Sequence, residues 1–217
     1  MLRSTSWRLI AIPALITLLV SLLRLVGELN GWSEVFFRSG AGGFGALIGI
    51  AWLAPVFGIY FALKLQREGH EPPRPVRIAL WAILGLVAFI TLGSVPVVLG
   101  FPFPAEYLVM GLAGIAGIVV SARGWPVLGK TLALYGVAAR LPVVIIMAFA
   151  FVGSWGTHYD APPPGFPETG LLARFVLTGV LPQLTLWVAY TIVTGALFGA
   201  LALKIAVRKQ VEPQIAA

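Results

Sequence analysis

The chain has 217 residues, of which 59% are hydrophobic and 11% charged, and a mean hydropathy of +0.96. A soluble domain carries about 25% charged residues, so this composition excludes a globule with a water-facing surface and points to an integral membrane protein. The absence of cysteine excludes disulfides, thiolate metal sites and cysteine nucleophiles, and the net charge of +7 is scattered over loops rather than gathered on a helix face, which argues against a nucleic-acid partner.

The first apolar run follows Arg3 and Arg8, and no small-x-small cleavage pattern succeeds it, so an uncleaved span is expected over 9–28. Arg24 lies near its outer end, four residues before Glu28, where an i,i+4 ion pair satisfies it. A second span is expected over 43–65, followed by the charged, proline-rich connector "REGHEPPRPVR" and a third span over 78–98. The fourth, 104–121, is the shortest. The fifth, 131–153, contains Arg140 and Pro142, and the loop "GSWGTHYDAPPPGFPETG" follows it. The segment 171–180 reads as a short helix lying along the interface, with Pro182 at its junction with the last span, 181–205. Each span is near the roughly 20 residues that a helix needs to cross a hydrocarbon core.

Six spans put both termini on one side. With that side cytoplasmic, the inner segments hold Arg3, Arg8, Lys64, Arg67, Arg74, Arg77, Arg123, Lys130, Lys204, Arg208 and Lys209, and the outer ones only Arg38 and Arg174. Such an excess is the positive-inside pattern. The expected fold is therefore an all-α, compact bundle of six transmembrane helices forming a single domain over 1–217, with both termini cytoplasmic. The charge bias and compactness suit a bacterial inner membrane.

Helices in lipid associate through small residues, because lipid tails are as apolar as leucine. "GALIG" (Gly45, Gly49), "GLAGIAG" (Gly111, Gly114, Gly117) and "GALFG" (Gly195, Gly199) are the expected packing positions. On the last span, Gln183, Trp187, Tyr190, Thr191 and Thr194 fall on one helical face. That stripe should turn inward, either as interhelical glue or as the wall of a pocket for a small polar molecule.

Arg140 stands ten residues beyond Lys130, about 15 Å along a helix and close to mid-membrane. A charge at that depth costs roughly 3 to more than 10 kcal/mol unless it is satisfied. No predicted span interior offers an acid. The carbonyl of Ala138, freed by Pro142, and snorkelling toward the nearer headgroups are the structural outlets; the functional one is an anion site. Arg140, Gln183, Tyr190, Thr191 and Thr194 are thus the candidate ligand- or lipid-binding residues.

His158 and Asp160 suggest an acid–base pair or, with Glu168, metal ligands, but one proline-rich loop is a weak basis for either. No zinc, nucleophile-elbow or phosphate-loop motif occurs. Neither a metal, a cofactor nor a catalytic residue is assigned. Three functions follow in order: a non-catalytic scaffold or accessory subunit, packing with lipids and with other membrane proteins or its own copies; a small solute- or lipid-binding transport component using Arg140 and the last helix; and, distantly, an outer-face enzyme using His158 and Asp160.

Overall fold

The computed structural model describes residues 7–33, 35–39 and 47–215, with side chains from 49 to 206 within the last of these stretches. Every regular element among the described residues is a helix. Six helical stretches are long and apolar enough to cross a membrane: Trp7–Leu29, Gly49–Arg67, Pro75–Val98, Ala105–Ala122, Pro126–Gly153 and Leu171–Ala206. The first is α1 (Trp7–Leu29), followed by α2 (Leu53–Arg67), α3 (Pro75–Val98), α4 (Ala105–Ala122) and α5 (Pro126–Gly153). The last stretch comprises α6 (Leu171–Arg174), α7 (Leu181–Leu184) and α8 (Leu186–Ile215).

Prolines account for where several helices start. α3 and α5 begin at Pro75 and Pro126, ahead of the apolar runs expected from 78 and 131. A proline at the first helical position has φ already set, and its missing N–H would be unpaired there anyway. Polar residues such as Arg77 and Lys130 are consequently wound into the first turns. Before α2, Leu47–Ala51 forms a wide π-helical turn broken at Gly49 (φ −65°, ψ −143°). Residues 43–46, including Gly45, lie outside the described residues.

The stretch expected as a separate interfacial helix, 171–180, instead runs on into the last span. Phe175–Val180 is a π-helical turn, and the irregular point falls at Thr185 (φ −114°, ψ −68°) rather than at Pro182. Pro182 has no N–H to give to the preceding turn, and its ring crowds the carbonyl four residues back. A widened turn just before it relieves that clash without ending the helix. Leu177 and Gly179 are buried there, whereas Leu171 and Leu172 are exposed.

The largest interfaces are α3 on α4 and α2 on α8. Small residues set both. A Cβ at Gly58 would run into the Cα and carbonyl of Gly195, and one at Gly199 would meet Ala62 and the Gly58 carbonyl. α2 and α8 are therefore parallel and nearly touch along their backbones. Gly195 and Gly199 also face Leu132 and Leu128, so α5 closes the other side. α3 and α4 run antiparallel, Gly85 against Gly117 and Ser121, with Phe89 above Gly117. Gly111 and Gly114 seat Leu181 and Thr185 of the last stretch. Gly49 faces a guanidinium instead of a helix: its nearest neighbour is Arg24.

The core lies between α2, α5 and α8, with Phe61, Leu65, Leu128, Leu132, Ile192 and Leu203 almost fully buried. Outward positions such as Leu19, Leu84, Leu112, Ile145 and Leu201 are apolar and exposed. An apolar skin around a packed centre is the pattern of a bundle whose solvent is lipid.

Backbone contact at Gly58 leaves no room for a side chain, whereas a Cβ at Gly93 would meet only Ala113, at 3.8 Å. Gly58→Leu is expected to destabilise the bundle by about 1–3 kcal/mol or more, and Gly93→Ala to leave it unchanged. Thermal unfolding followed by helical circular dichroism in detergent checks this; equal melting of both variants would contradict the α2–α8 packing.

Candidate functional site

Six segments converge on a cleft of about 280 Å³: the end of α1, the turn before α2, the start of α4, the second half of α5, the loop that follows it, and the Leu177–Trp187 part of the last stretch. Antiparallel packing of α5 on α8 brings Arg140 opposite Gln183 and Trp187. The Arg140 guanidinium donates from Nη1 to Gln183 Oε1 at 3.2 Å and stands over the Trp187 ring, 4.7 Å from its centre. Arg140 is only 5% exposed. No carboxylate comes within ion-pair distance of it among the described residues. Its partners are thus an amide oxygen and an aromatic face, rather than the Ala138 carbonyl anticipated from Pro142.

The polar stripe of the last span divides. Gln183 and Trp187 line the cleft, and Tyr190, Thr191 and Thr194 do not. Thr191 and Thr194 donate their hydroxyls to the carbonyls of Trp187 and Tyr190 in their own helix, at 2.8 and 2.7 Å. Back-bonding of this kind satisfies a buried hydroxyl without any partner helix. Tyr190 packs its ring edge against Trp187, 5.7 Å between centres. These three residues support the wall rather than form it.

At the other end of the cleft, Arg24 and Glu28 make the expected i,i+4 pair, Nε to Oε1 at 2.8 Å. The Glu28 side chain is wholly buried, and it does more than pair with Arg24. His158 brings Nδ1 to 2.6 Å from Oε1 and donates its backbone N–H to Oε2 at 2.9 Å. Tyr159 donates its hydroxyl to the Ser21 carbonyl at 2.9 Å. The loop after α5 is therefore stapled to the end of α1 through three contacts. One turn nearer the opposite end of the bundle, the hydroxyls of Thr17 and Tyr135 lie 2.8 Å apart and tie α1 to α5.

Asp160 is committed within the loop itself. It accepts from the backbone N–H groups of Gly156 and Thr157 and from the Thr157 hydroxyl, at 2.8–2.9 Å. The structure thus pairs His158 with Glu28 and not with Asp160, and no group of three or more potential metal ligands occurs among the described residues. Glu168 borders a separate shallow depression beside Arg174. Arg24, Glu28, Ser21 and Tyr159 are functional-site residues that sequence reasoning passed over. The Arg24–Glu28 spacing was the signal at hand, and it pointed to a structural ion pair at the end of the first span.

Burial pulls the His158 imidazole below its ordinary value of 6.5, helped by the Arg24 charge and opposed by Glu28 and Asp160. Burial likewise pushes the Tyr159 phenol up, so both groups are neutral near pH 7. Among the described residues the cleft is lined by two guanidiniums, Arg24 and Arg140, the first paired with Glu28 behind it, and by Gln183, Tyr107 and Trp187 as neutral polar or aromatic lining. It is rich in donors and carries one unbalanced positive charge. Compared with known proteins, the chain matches no family, no curated protein and no solved structure.

Between its lowered native value and 6.5, His158 binds fewer protons in the folded chain than in the unfolded one. Stability therefore rises with pH through that window and is lost as pH falls. The unfolding temperature in detergent should drop between about pH 7.5 and about pH 5.5, and the drop should shrink in His158→Gln. The same slope in wild type and variant would show that the imidazole is not held neutral.

Proposed function

We propose that the protein is a polytopic inner-membrane component that binds a small anion, either a solute or a lipid headgroup, in the cleft anchored by Arg140. The observation that carries this reading is a permanently charged guanidinium, 5% exposed, lining a cavity that no carboxylate lines among the described residues. An arginine cannot shed its proton to escape burial. Without an anion it forgoes the strongest partner available to it; with one, the fork donors left beyond Gln183 are used. A volume of about 280 Å³ lies at the lower edge of the roughly 300–1,000 Å³ typical of ligand pockets, and suits a compact molecule.

The scaffold reading rests on the apolar outer faces. Membrane lipid covers such faces as well as a partner subunit does, so it is the cleft that favours a binding role. The charge bias of the loops supports a single polytopic domain with both termini cytoplasmic. The cleft, at the ends of α1 and α5, then belongs to the outer half of the membrane, opening toward the side from which a solute would be captured.

The natural lack of cysteine makes topology easy to read. A membrane-impermeant maleimide should label Glu168→Cys in intact cells and Glu71→Cys only after permeabilisation; the reverse would invert the orientation. For the ligand, native mass spectrometry after gentle extraction from the native membrane should find a stoichiometric small molecule or lipid on the wild type. Arg140→Gln should lose at least about tenfold in occupancy, the order expected for deleting one charged hydrogen-bonding partner. Equal occupancy in the variant would make Arg140 a structural residue.

A further inference from the structure

Resting on the anion-binding reading of the cleft, we propose that its ligand is a compact organic carboxylate, and that it binds together with one proton taken up by His158.

The charge class follows from what is already committed. On α1, Arg24 is balanced by Glu28, whose Oε1 takes Arg24 Nε and stands against His158 Nδ1 and whose Oε2 takes the His158 backbone N–H. In the loop, Asp160 is engaged by three donors of its own turn, and Tyr159 spends its hydroxyl hydrogen on Ser21. α4 contributes only the Tyr107 phenol, and the last stretch only neutral residues, Gln183, Trp187 and a Thr178 hydroxyl that donates to the Arg174 carbonyl among them. Among the described residues, what is left over is Arg140, a single positive charge. A carboxylate supplies the negative charge that Arg140 lacks.

The shape class follows from the partners of Arg140. Trp187 stands against the guanidinium, 4.7 Å from ring centre to Cζ, and Gln183 takes Nη1, so the fork nitrogens beyond Gln183 are what a ligand meets. Gln183 turns its Oε1 to Arg140, which leaves its amide hydrogens as donors beside the fork. A planar pair of oxygens fits a planar row of donors; this is the bidentate geometry that arginine shares with carboxylates. Ile50, Val143, Met147 and Leu177 supply the apolar remainder of the wall, which takes the body of the molecule rather than its charge.

The proton follows from His158 lining the same cleft. Nδ1 lies 2.6 Å from Glu28 Oε1 without the alignment of a hydrogen bond, so Glu28 acts on the imidazole through its charge rather than by fixing a tautomer. At rest the imidazole stays neutral, because it is buried and faces Arg24. An anion bound in the cleft that Arg140 and His158 both line adds negative charge in a low-dielectric space and raises the imidazole's proton affinity. By linkage, a proton on His158 tightens the anion to the same extent. Glu28 and Asp160 act in the same direction, and Arg24 and Arg140 oppose it.

Benzoate is a suitable probe, since it fits the cleft in kind and stays ionised well above a carboxyl value of about 4. Isothermal titration of the full chain in lipid nanodiscs, repeated in buffers of different ionisation heat, reads affinity and proton uptake together. Affinity should rise at least about fivefold from about pH 7.5 to about pH 5.5, the lower end of ordinary coupling, with net proton uptake in the wild type. His158→Gln should bind without pH dependence or uptake, and Arg140→Gln should not bind at either pH. Binding that needs Arg140 but takes up no proton in the wild type would overturn the coupling and leave the anion site standing. No binding at either pH, or binding indifferent to Arg140→Gln, would overturn both.

Discussion

Arg140 is a permanent charge held among apolar helices, and among the described residues it has no acid to lean on. Burying an isolated ion costs several kcal/mol even after relaxation, so the helices around it are arranged to lessen that cost. α5 carries it, and the antiparallel last helix brings the Gln183 oxygen to 3.2 Å and the Trp187 face to 4.7 Å. Neither partner carries a negative charge, so the guanidinium is housed but not neutralised. The same arrangement that makes the residue tolerable leaves the cleft positive.

The cleft exists because the bundle is tight in one place and irregular in another. Glycines at 58, 195 and 199 let α2 and α8 approach backbone to backbone, with α5 pressed against both. That contact fixes the floor of the bundle around Phe61, Leu132 and Ile192. Toward the ends of α1 and α5 the regular packing gives way to the π turn before α2, the π turn before Pro182, and the irregular Thr185. Wide turns splay the helices they join. The loop after α5 then covers the opening, fastened to α1 by Glu28 and by the Ser21 carbonyl.

Much of the frame was legible in the sequence, since twenty-residue apolar runs with basic flanks have few alternatives. Helix starts were less so: Pro75 and Pro126 open α3 and α5 upstream of the apolar runs. Gly58 went unnoticed because "GIYFA" looks ordinary until Gly195 is laid against it. For the site, Arg140 and Gln183 were each suspected from polarity in an apolar setting, but their meeting across 43 residues needed the fold. The helical period placed Tyr190, Thr191 and Thr194 on the face of Gln183 without telling how far along that face the cleft extends. The Glu28–His158 contact, across 130 residues, had no local signal at all. Each half was explicable nearby, Glu28 by Arg24 and His158 by Asp160, and the local explanation for His158 was the wrong one.

The most direct test is a cryo-electron microscopy structure of the protein in lipid nanodiscs prepared from its own membrane. Resolution must be sufficient to place the Arg140 guanidinium and whatever lies beside it. The account predicts Arg140 directed into the cleft with Gln183 and Trp187, and compact non-protein density against its free nitrogens. A guanidinium snorkelled out to the headgroups, with the cleft collapsed and packed by side chains, would contradict it.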